Sequence, residues 1–106
     1  MKIFILQKSI TDLKHPIKKT EYYSEATTVK DFITEMVTKN YESYNKGLLS
    51  EHIQLALEEF TDGSYYIVNQ TKNIKYKSID DLMKISANDE IILIKLKYIR
   101  GFIWLI

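Results

Sequence analysis

The stretch that decides the fold is EIILIKLKYI, residues 90–99. It shows no helical period. Lys95 and Lys97 alternate with apolar neighbours, and the rest is mainly β-branched or apolar, so it reads as the strongest strand of the chain. Its counterpart is KIFILQKS, residues 2–9, which is also strand-like. These two segments are the most apolar strands in the sequence. They are therefore expected side by side in the middle of one sheet, in a parallel pairing made across the whole chain.

Outward from that pair, Ser9 to Pro16 supplies turn chemistry, and IKKTEYYSE (17–25) reads as a second strand, giving an opening hairpin. The period then changes. Val29, Phe32, Ile33, Met36 and Val37 fall at i, i+3, i+4, i+7 and i+8, with Tyr41 and Tyr44 continuing one apolar helix face. Thr28 suits the N-cap with Asp31 three residues on. The helix is expected to run to about Asn45 and stop at Gly47. A shorter helix follows, capped by Ser50, striped by Ile53, Leu57 and Phe60, and ended by Thr61–Gly63. SYYIVN (64–69) returns to strand, IKYK (74–77) is a short edge strand, and Ser78 caps a single helical turn, IDDLM. The first helix must cover one sheet face, because its stripe and the apolar sides of the strands have no other partner. The class is α+β.

Length and composition agree with one domain spanning residues 1–106, ending in an apolar C-terminal extension at 102–106. The hydrophobic fraction is 45% and the charged fraction 27%, ordinary for a globular chain. Fifteen basic residues against fourteen acidic ones leave a net charge of +1. That balance gives no electrostatic case for nucleic acid or a membrane surface as partner. There is no cysteine, which removes disulfides, thiolate metal sites and thiol nucleophiles and makes a cytoplasmic address the default. The apolar run Ile3–Leu6 is too short for a signal peptide, and FIWLI is far below the ~20 residues of a spanning helix.

Chemistry-bearing residues are sparse. His15 and His52 are far apart and lack triad or metal-ligand spacing. The pairs Glu58–Glu59 and Asp80–Asp81 sit in helical segments where neighbours point in different directions, so capping and solvation explain them. Three scattered glycines cannot build a phosphate loop, and the eight tyrosines have no basic groove beside them. No catalytic residue, metal site or cofactor is assigned, and a non-enzymatic protein is expected.

In order, the opening MKIF, a hairpin, a Thr28–Val29 helix start, a short strand pair, the acidic turn SIDDL and a closing strand leading to Arg100–Gly101 resemble the ubiquitin-like family. The pattern covers about residues 1–37 and 65–101, and residues 39–63 depart from it, which makes 38–63 a helical insertion by comparison with the family. Small bacterial ubiquitin-like proteins are also similar, with a stretch like EEFTDGSYYIV (58–68) leading into the third strand. The resemblance implies a β-grasp, a mixed sheet packed on one long helix, here with an inserted second helix. It implies action through a protein partner, as an adaptor or as a protein modifier. The alternative is a sulfur carrier activated at a C-terminal glycine.

In that family a freed terminal glycine carries the chemistry, since a glycine carboxylate has no side chain to obstruct an activating site. The resemblance places Gly101 at that glycine and Arg100 at the penultimate position. Phe102, Ile103, Trp104, Leu105 and Ile106 would then be an extension removed by a processing protease before an activating enzyme acts. Two other readings stand beside it. Gly101 is a bend from which the tail turns back to complete the core, or the tail adds as a strand to a partner's sheet edge. The resemblance further implies an apolar patch on the outward sheet face, assigned by strand alternation to Phe4, Leu6, Ile67 and Leu93, with Lys95 and Lys97 at its rim. Against this stands a tail that covers those residues.

Overall fold

The computed structural model describes residues 1–7, 18–41, 49–99 and 102–105. The strands are β1 (Lys2–Gln7), β2 (Lys18–Tyr23), β3 (Tyr65–Asn69), β4 (Ile74–Lys75), β5 (Glu90–Ile99) and β6 (Phe102–Leu105). The helices are α1 (Val29–Tyr41) and α2 (Leu49–Asp62). The sheet runs β2-β1-β5-β3-β4, with β6 paired to β5 off that path. The two most apolar strands lie side by side and parallel in its middle, Phe4 opposite Glu90 and Leu6 opposite Ile92. The other pairings are antiparallel, so the sheet is mixed and the class is α+β.

The core lies between the helices and one face of the sheet. Ile3, Ile5, Ile67, Ile91 and Leu93 supply the sheet side, and the α1 stripe of Val29, Phe32, Ile33 and Met36 packs against them. The edge of the Tyr22 ring meets Phe32 at 6.0 Å and an interplanar angle of 77°, which ties β2 to α1.

α1 is described over 13 residues to Tyr41, and the expected continuation to about Asn45 lies outside the described residues. α2 has 14 residues and buries Ala56, Glu59 and Phe60 at i, i+3 and i+4. That stripe brings Ala56 and Phe60 into the same core that α1 covers. α2 also begins at Leu49, which places Ser50 inside its first turn instead of at the cap. It ends as TDG suggests. Gly63 has φ +87°, its amide donates to Phe60 O at 3.3 Å, and the Ser64 amide donates to Glu59 O at 2.9 Å. Those two bonds form a Schellman motif, which favours glycine at the left-handed position.

α1 starts where Thr28 predicts, with the Asp31 amide donating to Thr28 Oγ1 at 3.2 Å. Its first amides are satisfied from outside the helix, since Val29 N donates to Asp81 O and Lys30 N to Ile79 O, both at 2.9 Å. The segment 78–82 is therefore a hydrogen-bonded turn docked on the helix start, not the expected helical turn. The Asp81 carboxylate accepts the amides of Lys77 and Ser78, which holds it below the usual carboxylate range. The expected loop from Ser9 to Pro16, the helix stop at Gly47, and Arg100, Gly101 and Ile106 lie outside the described residues.

Candidate interaction surface on the sheet

Side chains alternate across a strand, so burial of Ile3, Ile5, Ile67, Ile91 and Leu93 against the helices fixes which residues face the other way. The outer face carries Phe4 and Leu6 on β1, Ile92 and Ile94 on β5, and Tyr66 and Val68 on β3. The register joins them, with Leu6 opposite Ile92, Val68 opposite Ile92, and Tyr66 opposite Ile94. All six are half-buried.

The structure therefore corrects half of the expected patch. Phe4 and Leu6 lie on the outer face. Ile67 (0% exposed) and Leu93 (4% exposed) are core residues on the helix side. The reason is a register offset of one residue. Leu6 stands opposite Ile92, so Ile92 and Val68, not Leu93 and Ile67, share its face.

Three lysines edge this apolar area. Lys19 Nζ lies 4.6 Å from the centre of the Phe4 ring and Lys2 Nζ 5.3 Å from it. Lys75 Nζ lies 4.9 Å from the centre of the Tyr66 ring at the other side of the sheet. Lys19 also pairs with Glu90 at 2.7 Å, and Lys2 stands 4.0 Å from Glu21. An ammonium held against a ring keeps its charge while its stem covers apolar surface. The arrangement offers an apolar platform with cations at its margins, suited to a surface that presents apolar groups and carboxylates.

The C-terminal extension is part of the chain's own pairing. Phe102 stands opposite Ile99, Ile103 opposite Tyr98, Trp104 opposite Lys97 and Leu105 opposite Leu96, antiparallel. Lys95 and Lys97, expected at the rim, lie on β5 at and just before that pairing.

Sequence reasoning missed a polar node at the opposite end of the central strands. Asp89 is 3% exposed and Asn69 is 0% exposed. Asn69 Nδ2 donates to Asp89 Oδ2 at 3.0 Å, Ser86 N donates to the same oxygen at 2.9 Å, and Lys72 Nζ stands 3.2 Å from it. Burial pushes the Asp89 carboxyl up, but the Asn69, Ser86 and Lys72 contacts outweigh it and hold the group below its ordinary value. Lys72 Nζ further donates to Lys84 O and to Ser86 Oγ, and the Tyr76 hydroxyl donates to Met83 O. The node fastens the β3–β4 turn to the segment entering β5. The only signal for it in the sequence is a pair of polar residues at strand ends.

Of the residues considered for catalysis, His15 lies outside the described residues. His52 lies on the exposed side of α2, Glu58 is exposed while Glu59 is buried, and Asp80 and Asp81 belong to the turn at α1. Among the described residues no group of three His, Asp or Glu side chains is placed to hold a metal ion. No described helix is long and apolar enough to cross a membrane. No protein-family model, characterised protein or solved structure matches the chain.

Proposed function

We propose that this chain is a β-grasp protein of the ubiquitin-like kind that works in the cytoplasm as a non-enzymatic interaction module. The observation that carries this reading is the outer sheet face, six apolar side chains bordered by lysines on Phe4 and Tyr66. A platform of that kind is a protein-binding surface, since contiguous apolar area edged by charge marks interaction sites. The partner presents apolar side chains to the Phe4–Ile92–Val68 centre and carboxylates to Lys2, Lys19 and Lys75.

The strand order supports the β-grasp assignment, with the first and last long strands parallel at the centre and the helices on one face. The pairing of β6 with β5 favours an adaptor that keeps its extension over a modifier or sulfur carrier that sheds it. Val68→Asp tests the surface, with Leu55→Asp on the exposed side of α2 as control. A partner captured by the wild-type chain should be lost by Val68→Asp and retained by Leu55→Asp. Retention by Val68→Asp, with the fold intact, would overturn the reading.

A further inference from the structure

The second neighbour of β2 is absent among the described residues, and the hydrogen-bond register shows which of its backbone groups are unused. Ser24 N donates to Met1 O at 3.0 Å, and antiparallel ladders alternate bonded with non-bonded pairs. Phe4 N donates to Asp89 O, and Lys2 O accepts from Asn88 N, both at 2.8 Å. The backbone groups of Lys2 and Phe4 thus turn toward β5, and those of Ile3 and Ile5 turn toward β2. Opposite Lys2, Phe4 and Leu6 stand Tyr23, Glu21 and Lys19, so these three point their amides and carbonyls off the sheet edge.

Charged side chains along an edge strand select what can pair with it, since like charges directly opposite repel and opposite charges attract. Lys19 and Glu21 carry opposite charges at alternate positions and lean back over the sheet. Lys19 Nζ reaches back over β1 to Phe4 and Glu90, and Glu21 lies toward Lys2. At one end the edge is closed, because Lys39 Nζ donates to Tyr23 O at 2.6 Å. Among the described residues, what remains unpaired is a short template at Lys19 and Glu21.

We infer that this edge pairs with the same edge of a second copy of the chain, antiparallel about a two-fold axis at Thr20. Lys19 of each copy then stands opposite Glu21 of the other, which gives two opposite-charge pairs and four backbone hydrogen bonds. The competing registers are worse. Centring on Glu21 sets two carboxylates face to face, and centring on Tyr22 needs the Tyr23 carbonyl already taken by Lys39. The sheets join with their outer faces on the same side, so one dimer presents two platforms. The pairing rests on backbone register and stands apart from what binds the outer face.

Sedimentation equilibrium of the full chain from about 10 µM to about 1 mM covers the range in which so small an interface associates. The average mass is expected to climb from 12.5 kDa toward twice that value. Lys19→Glu and Glu21→Lys should each weaken association about tenfold, and the double swap should restore it. Glu21→Pro should abolish it, since that amide serves no bond to β1 and proline is tolerated there. Melting curves establish that each variant is folded, and the charge swaps decide alone if Glu21→Pro does not fold. A monomer at every concentration, or a double swap no tighter than the single variants, would overturn the inference.

Discussion

Asn69 and Asp89 meet inside the protein, side-chain amide to carboxylate at 3.0 Å, although twenty positions separate them in the chain. Lys72 completes the contact at 3.2 Å. A buried carboxylate without such partners would be strongly destabilising, so the three residues act as one unit. They hold the entry to β5, the strand that pairs with β1, β3 and β6.

Because the Asp89 carboxyl is held below its ordinary value in the folded chain, the unfolded chain takes up that proton first as pH falls. Its stabilising share is complete above the ordinary carboxylate value of about 3.9 and is lost as pH falls through the depressed one. Melting temperature should therefore drop in that acid range. Asp89→Asn should cost about 2 kcal/mol at neutral pH and flatten the acid limb. An unchanged acid limb would show that Asp89 does not control it.

The two faces of the sheet predict a contrast between adjacent residues. Ile67→Ala and Leu93→Ala remove core volume and should each cost about 2–5 kcal/mol by denaturant unfolding. Val68→Ala and Ile94→Ala, on the outer face, should cost clearly less than their neighbours. Equal costs along β3 and β5 would mean that the assignment of faces is wrong.

Gly63→Ala should destabilise by about 1 kcal/mol, from backbone strain alone. An added Cβ meets nothing within 4 Å, and φ is +87°, so steric crowding plays no part. Gly63→Asn, which tolerates the left-handed region better, should recover part of the loss in the same denaturant titration.

Thr28→Ala should cost about 1 kcal/mol by removing the side-chain acceptor for the Asp31 amide. Thr28→Ser, which keeps the oxygen, should be nearly neutral. Comparable losses in both would locate the effect in packing of the methyl group instead of the cap.

Local signals in the sequence carried the element order well. The Val29–Phe32–Ile33–Met36 stripe and the Thr28 cap needed only spacing, and the Gly63 stop needed only the turn chemistry of its neighbours. The parallel central pair followed from apolar content, since the two most apolar strands take the middle of the sheet with a strand on either flank. The faces were not legible for the same reason. KIFILQ and EIILI are apolar at odd and even positions alike, so alternation could not say which set meets the helices. That parity is set by the offset between β1 and β5, a long-range property. The strength of α2 was hidden because Ala56 and Glu59, which define its buried side, are not strongly apolar residues. The Asn69–Asp89–Lys72 node was invisible for a topological reason, since only strand pairing brings those residues together.

The central claim, that the outer sheet face is where a partner binds, is tested most directly by amine-reactive cross-linking in the native cell followed by mass spectrometry. Cross-links from this chain to a different protein should fall on Lys2, Lys19 and Lys75 and disappear in Val68→Asp. Cross-links concentrated instead on Lys30 and Lys77, and unchanged by Val68→Asp, would place the partner elsewhere and contradict the account.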